Sequence, residues 1–136
     1  MKKVFVDTNI LLDYILNRQN ADNAEKLLIL GYEGNVNLYS SFLTFANIAY
    51  IACKKVNIYE MFNDLCSYIK VLSMDSVQLH AALLNPVKDF EDMLQYQCAK
   101  AADCDIIITN NIKDFEEYSK IPLYTANEFL NSIFVA

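Results

Sequence analysis

The segment KKVFVDTNILLDYIL, residues 2–16, decides how the chain is read. Val4, Phe5 and Val6 form a short apolar run of the kind that makes a buried strand. Asp7 follows at once, then Thr8 and Asn9, and an apolar run at helical spacing resumes at Ile10, interrupted by Asp13. A strand that turns into a helix after a few polar residues opens an α/β unit. Thr8 or Asn9 is placed to cap that helix, over 10–17. A carboxylate at the end of a buried strand costs free energy unless hydrogen bonds or opposite charge neutralise it. Asp7 therefore needs a reason to be there.

The same alternation continues along the chain. VNLY at 36–39, KVLSM at 70–74, DIIIT at 105–109 and PLYT at 122–125 read as strands, DIIIT most clearly. Helical spacing runs over 21–31, 58–69, 76–84, 89–102 and 126–133, with a helical turn over 112–118. Gly31 and Gly34 punctuate the second helix. FLTFANIAYIAC, from residue 42, is apolar on nearly all sides and reads as a buried helix. The prediction is an α/β fold: a three-layer α/β/α sandwich with a central, mostly parallel sheet covered on both faces and right-handed crossovers. Functional groups in such sheets collect at the carboxyl ends of strands. Asp7 ends the first strand, and Thr109, Asn110 and Asn111 follow DIIIT. If those strands are neighbours, the groups meet at one edge.

The chain has 136 residues, 54% of them hydrophobic, with only 2 Gly and 2 Pro. One compact domain over 1–136 is expected, without repeats or flexible linkers. The four cysteines, Cys53, Cys66, Cys98 and Cys104, form no C-x-x-C pair and sit in apolar segments. They read as buried, reduced thiols of a cytoplasmic protein. No signal peptide is expected, and no apolar run is long enough to span a bilayer. The net charge of −6, the single arginine, Arg18, and the lone internal basic pair, Lys54–Lys55, argue against broad electrostatic binding of nucleic acid. They leave room for an enzyme whose acids gather around cations. His80 is the only histidine. It reads as a surface or packing residue, which argues against zinc and against Ser-His or Cys-His catalysis.

KDFEDMLQ, residues 88–95, is the second acidic feature. Asp89 is a good N-cap, and Glu91 and Asp92 complement the positive end of a helix. Alternatively Asp92, with Gln95, Tyr96 and Ala99 at helical spacing, faces a cleft. Asp114, in TNNIKDF, is either a surface acid or a further member of that cleft. Asn47, inside an apolar helix, is either a satisfied core amide or a site residue. Two carboxylates about 4 Å apart repel by about 4 kcal/mol at an effective dielectric near 20. Several gathered in one cleft call for a hard cation with oxygen ligands, Mg²⁺ or Mn²⁺.

VDTNILLD, SFLTFAN, DFEDMLQYQCAKAADCDIIITNN, and KDF followed by IPLYTANEFL stand in an order and at a spacing that resemble a PIN domain, over essentially the whole chain. The DFED…TNN…KDF version looks most like a bacterial subgroup related to toxin–antitoxin ribonucleases. The resemblance implies a metal-dependent endoribonuclease acting on RNA, leaving 5′-phosphate and 3′-hydroxyl ends. It maps the family's acids onto Asp7 and Asp92, with Asp114 as a further acid. Thr8 and Asn9 match the polar turn that orients the first acid. Ser41 and Thr109 match small hydroxyl residues near the cleft. It also implies an antitoxin that covers the acidic cleft with a basic side chain, and a homodimer. Tyr59, Met61, Phe62 and Tyr68 are either dimer contacts or core. Two positions depart from the pattern: Asn47 stands where a glutamate is usual and Asn111 where an aspartate is frequent. Glu91 and Asp89 lie close enough in sequence to compensate. A weakened domain that binds RNA or protein without cutting is the alternative. Receiver domains and haloacid-dehalogenase-like phosphatases also place an aspartate after a strand. The former want an acidic pair near the start of the chain, and the latter want a second aspartate where Asn9 stands.

Overall fold

A computed structural model describes residues 1–134, the last of them by its backbone alone. Five parallel strands form one sheet: β1 (Lys3–Val6), β2 (Asn37–Ser41), β3 (Ile69–Leu72), β4 (Ile106–Ile108) and β5 (Leu123–Tyr124). Their order is β3-β2-β1-β4-β5, with β1 in the middle. Among the described residues seven helices connect and cover them: α1 (Thr8–Ile15), α2 (Ala21–Tyr32), α3 (Phe42–Ala52), α4 (Ile58–Leu65), α5 (Ser76–Leu83), α6 (Phe90–Ala101) and α7 (Ala126–Phe134). Among the described residues no helix is long and apolar enough to cross a membrane.

The register explains why the central strands are apolar on both faces. Val4 pairs with Leu38 and Ile106, and this row packs into one core with Ile10, Leu11, Leu27, Ile48 and Phe129 from α1, α2, α3 and α7. Phe5 pairs with Tyr39 and Ile107, and that row packs into a second core with Ala82, Met93, Tyr96 and Phe115. Side chains alternate faces along a strand, so two buried faces require a continuous apolar run. This is the three-layer α/β/α arrangement expected from the sequence.

Several local expectations need correction. Neither Thr8 nor Asn9 caps α1. Asp7 does, accepting from the Thr8 N–H, and helix geometry begins at Thr8. Gly31 lies inside α2 rather than after it. A Cβ there would run into the Leu38 side chain, so the glycine lets α2 lie close over β2. Gly34, with φ +78, makes the turn that follows. The 112–118 turn shortens to a 3-10 helix at Ile112–Asp114, and the 58–69 helix stops at Leu65 because the chain must extend from Ile69 to pair with β2. α3 is not buried all round: Phe42 is 68% exposed and Tyr50 88% exposed. Cys53 and Cys66 are exposed, whereas Cys98 and Cys104 are buried as expected. Met61, Phe62 and Tyr68 pack against the first core, leaving Tyr59 exposed. His80 lies on the exposed surface of α5.

Candidate active site

Successive strands build outward on one side of β1 through β2 and β3, and the chain then crosses to the other side to form β4 and β5. The boundary between β1 and β4 is the switch point of the sheet, where the loops diverge and leave a crevice. Asp7 stands at that point. Its N–H donates to the Ile108 carbonyl at 3.0 Å, continuing the ladder one residue beyond β1. Its Oδ1 accepts from the Thr8 N–H at 2.8 Å and its Oδ2 from the Thr109 hydroxyl at 2.9 Å. The Thr109 hydroxyl in turn accepts from the Asn111 N–H at 3.0 Å. Asp7 is only 5% exposed. Burial, against the pull of the two hydrogen bonds and with smaller pushes from Glu91 and Asp114, raises its carboxyl to about 6. The sole ion pair among the described residues is Arg18 with Asp13, at 4.0 Å, so no cationic side chain pairs with Asp7.

A buried polar network lies beneath Asp7. The Thr8 and Thr44 hydroxyls share a hydrogen bond of 2.8 Å. Gln95 Nε2 donates to Thr44 Oγ1 at 2.9 Å, and its Oε1 accepts from the Ser41 hydroxyl at 2.6 Å. Ser41 also caps α3 by accepting from the Thr44 N–H. The network therefore joins the start of α1, the start of α3 and the middle of α6. Thr44 is a site-forming residue that the sequence pattern does not single out, and Gln95 is named there only as a cleft-facing neighbour of Asp92. The available signal is Gln95 itself, an amide one turn beyond Asp92 among apolar neighbours. Asp13 is another such residue. It is buried, and Asn110 Nδ2 donates to it at 3.4 Å. Asn9 lies on the first turn of α1 and makes none of these bonds.

α6 brings the other acids. Asp89 caps the helix by accepting from the Asp92 N–H at 3.1 Å, as its position predicts. Burial pushes the Asp92 carboxyl up to about 7, with further pushes from Asp89, Asp7, Asp114 and Glu91. Glu91 is raised by burial and by Asp89, and lowered by a hydrogen bond from Asn47. That bond, Asn47 Nδ2 to Glu91 Oε1 at 2.6 Å, shows that Asn47 is not a core amide but reaches across to α6. Asp114 lies on the exposed 3-10 helix. With Asp92, Lys88, Lys113 and Tyr118 it lines a cleft of about 430 Å³. The Tyr118 hydroxyl is buried with no hydrogen-bond partner among the described residues. Burial and then the neighbouring acids Asp92 and Asp114 push its pKa upward. The larger cavity, about 720 Å³, sits at the amino ends of the strands beside Lys2, Asp105, Ile106 and Pro122, away from these groups.

The predicted residues thus divide into three sets. Asp7, Thr8 and Thr109 form one hydrogen-bonded unit, and Ser41 joins it through Thr44 and Gln95. Glu91 and Asp114 push the Asp7 carboxyl upward, and Asp7, Asp114 and Glu91 push that of Asp92. Asn111 contributes its backbone N–H while its side chain is exposed. Among the described residues no group of three or more acidic, histidine or cysteine side chains is positioned to hold a metal ion by itself. A magnesium-type ion asks for less, since it commonly takes one or two carboxylates and keeps several waters. Asp7, with two oxygens and no cationic partner, and Asp92 and Asp114, which line one cleft, are donors of the oxygen type that such an ion takes.

A family model described as "PIN domain" matches residues 3–113. The chain has no significant match among curated protein sequences. Among solved structures, it is similar to a toxin–antitoxin complex from Klebsiella pneumoniae, at 20% identity, covering 90% of this chain and 97% of that one, with TM-score 0.70. It is similar to DNA-bound VapBC from Salmonella typhimurium, at 19% identity, covering 93% and 99%, with TM-score 0.69. VapBC2 from Rickettsia felis, bound to a DNA fragment from its promoter, aligns at 18% identity over 90% and 98%, with TM-score 0.67. At these identities the likeness is one of fold.

Proposed function

The chain belongs to the PIN domain family, and on that premise we propose that it is a metal-dependent endoribonuclease of the cytoplasm, the toxin of a toxin–antitoxin pair. The observation that carries this reading is the buried Asp7 carboxylate at the β1/β4 switch point, held from two sides and faced by further acids with no basic partner. Asp7 and Asp92 would hold one Mg²⁺ or Mn²⁺, with waters and Asp114 completing the shell. Bound there, the ion would offset charge on the scissile phosphate and acidify a water.

The protein's own contribution is orientation. Thr109 and the Thr8 N–H fix both oxygens of Asp7, so the carboxylate cannot rotate away when it ionises. The Thr8–Thr44–Gln95–Ser41 network locks α3 and α6 at a set separation, which holds the acidic residues of α6 beside β1. Lys88 and Lys113, on the rim of the cleft, would meet the phosphates of the RNA strand. Asn47 and Asn111 take part as neutral members, Asn47 through Glu91 and Asn111 through Thr109. A small antitoxin with a basic side chain suits the acidic cleft, in line with the toxin–antitoxin complexes whose fold this chain shares. A second copy of the chain is the other expected partner. Purified protein should cleave RNA only with Mg²⁺ or Mn²⁺, and Asp7→Asn should abolish the cleavage. Undiminished cleavage by that variant would overturn the assignment.

A second reading has an observation in its favour. No three acids are gathered into a ready cage among the described residues, as expected of a domain that binds RNA or protein without cutting. It predicts no heat of Mg²⁺ or Mn²⁺ binding at millimolar metal, together with retained RNA or partner binding.

A further inference from the structure

We propose that the hollow at the amino ends of β2 and β3 is a second contact site for single-stranded RNA, remote from the acidic crevice. This rests on the reading above only in taking RNA as the substrate; it concerns how a long strand is held and not how it is cut. Gly31, Gly34, Tyr32, Tyr39, Tyr68 and Lys70 line a hollow of about 330 Å³ there. Local structure brings them together. Gly31 lets α2 lie against Leu38 of β2, and Gly34, with φ +78, turns the chain back towards that strand. A Cβ on Gly34 would meet no atom within 4 Å, so the backbone is open to a ligand at that point. Tyr32 ends α2, and Tyr68 immediately precedes β3. Their rings meet edge-on with centroids 5.8 Å apart. Tyr32 is 72% exposed, so most of its side chain stands in water.

The charge around the hollow selects its ligand. The chain has 17 acidic and 11 basic residues, yet no acid is among the described residues that line this hollow, and Lys70 is its single charge. Lys70 is exposed and forms no ion pair among the described residues. It pairs with Tyr39 in the β2–β3 register, and its Nζ lies 5.8 Å from the centroid of the Tyr39 ring. Lys3 approaches the same ring at 5.3 Å, but its ammonium already donates to the Ala102 carbonyl. Lys70 is therefore the cation left for an incoming anion. On the other side of the Tyr32–Tyr68 pair, a hollow of about 270 Å³ is lined by Glu25 and Asp64. An anion is drawn to one side of the tyrosines and repelled from the other. Aromatic rings beside an exposed cation suit a nucleobase and its phosphate. Single-stranded RNA has that chemistry, because unpaired bases stack on aromatic side chains while the backbone meets lysine. The hollow stands at the far end of β2 from the acidic crevice, roughly 15 Å away along a five-residue strand. A substrate several nucleotides long reaches both.

The test is binding of a fluorescent oligouridine of about 12 nucleotides to the whole chain, read by anisotropy with a chelator present. Lys70→Ala and Tyr32→Ala should each weaken binding about fivefold to tenfold, and the two together by more than either alone. Both side chains are exposed, so the fold is kept, and an unchanged melting temperature checks this. Glu25→Gln, on the far side of the tyrosines, should not weaken binding. An RNA duplex of the same length hides its bases, and Tyr32→Ala should bind it as the parent does. Parent-like binding of the oligouridine by Lys70→Ala and Tyr32→Ala overturns the proposal. A loss confined to Lys70→Ala, or an equal loss by Tyr32→Ala on the duplex, also overturns it, since charge alone is then at work. No binding by the unaltered chain overturns it as well, and leaves the hollow to a protein partner. These outcomes are read without metal and leave the cleavage assignment untouched. Conversely, undiminished cleavage by Asp7→Asn removes that assignment and leaves this site standing.

Discussion

Replacing Asp7 with asparagine should make the metal-free protein more stable at neutral pH while removing its activity. Burial holds the Asp7 carboxyl near 6 instead of its ordinary 3.8. The folded state therefore binds this proton more tightly than the unfolded state does. The contribution of Asp7 to stability is full below its unfolded pKa and is lost as pH rises through about 6. Above that, the folded protein carries a cost of about 3 kcal/mol, each tenfold change in proton affinity being worth about 1.4 kcal/mol. Asparagine has the same shape and no charge, and its Oδ1 can still accept from the Thr8 N–H. Its Nδ2 would face the Thr109 hydroxyl, which already accepts from Asn111, so part of the gain is lost. A net stabilisation of about 2 kcal/mol at pH 7.5 is expected, a rise in melting temperature of roughly 6 °C for a chain of this size. At pH below about 4 parent and variant should coincide, since Asp7 is then protonated in both states. The assay is thermal and urea denaturation with a chelator present, at several pH values from 4 to 8. A variant less stable than the parent at pH 7.5, or a gain that does not change with pH, would refute the claim that Asp7 is held ionised against its burial.

Three further outcomes follow from the same geometry. Mn²⁺ affinity should rise with pH through about 6 and about 7, because the ion must displace protons from Asp7 and Asp92; calorimetry in buffers of different ionisation enthalpy would register the released protons, and equal heats would count against it. Gln95→Leu should cost roughly 2 kcal/mol by leaving the buried Ser41 and Thr44 hydroxyls short of a partner, read as a lower urea midpoint. Tyr118→Phe removes a buried hydroxyl that has no partner among the described residues, and its stability should be unchanged or higher by up to about 1 kcal/mol, seen as a melting temperature no lower than the parent's.

Sequence and structure agree best where the signal is local. Val4–Val6 and Ile106–Ile108 announce buried parallel strands because both faces are covered, and the alternation of strand and helix implies the layers. The adjacency of β1 and β4 is only a condition at the level of sequence, since strand order depends on contacts between residues a hundred positions apart. The side-chain interior of the site is harder to see. Gln95 looks like one polar residue among many until Thr44 is known to lie opposite it. Asn47 reads equally as a core amide or as a site residue, because composition does not reveal which side of an apolar helix is covered. α3 makes the point again, with Phe42 and Tyr50 facing outward. Cys53 and Cys66 are exposed for a related reason, each sitting at the C-terminal end of a helix.

The position of β1 in the middle of the sheet has a consequence for assembly. The bond that aims Asp7 comes from Thr109, 102 residues later. The strand that carries Asp7 needs β2 on one side and β4 on the other. During synthesis Asp7 leaves the ribosome 102 residues before the Thr109 that orients it. Parallel pairings of this sequence separation form late and slowly. A nascent or truncated chain ending before β4 has the acidic residue but not the site. Competence to cut would then arrive only with the completed sheet, which suits the toxin role proposed for this chain.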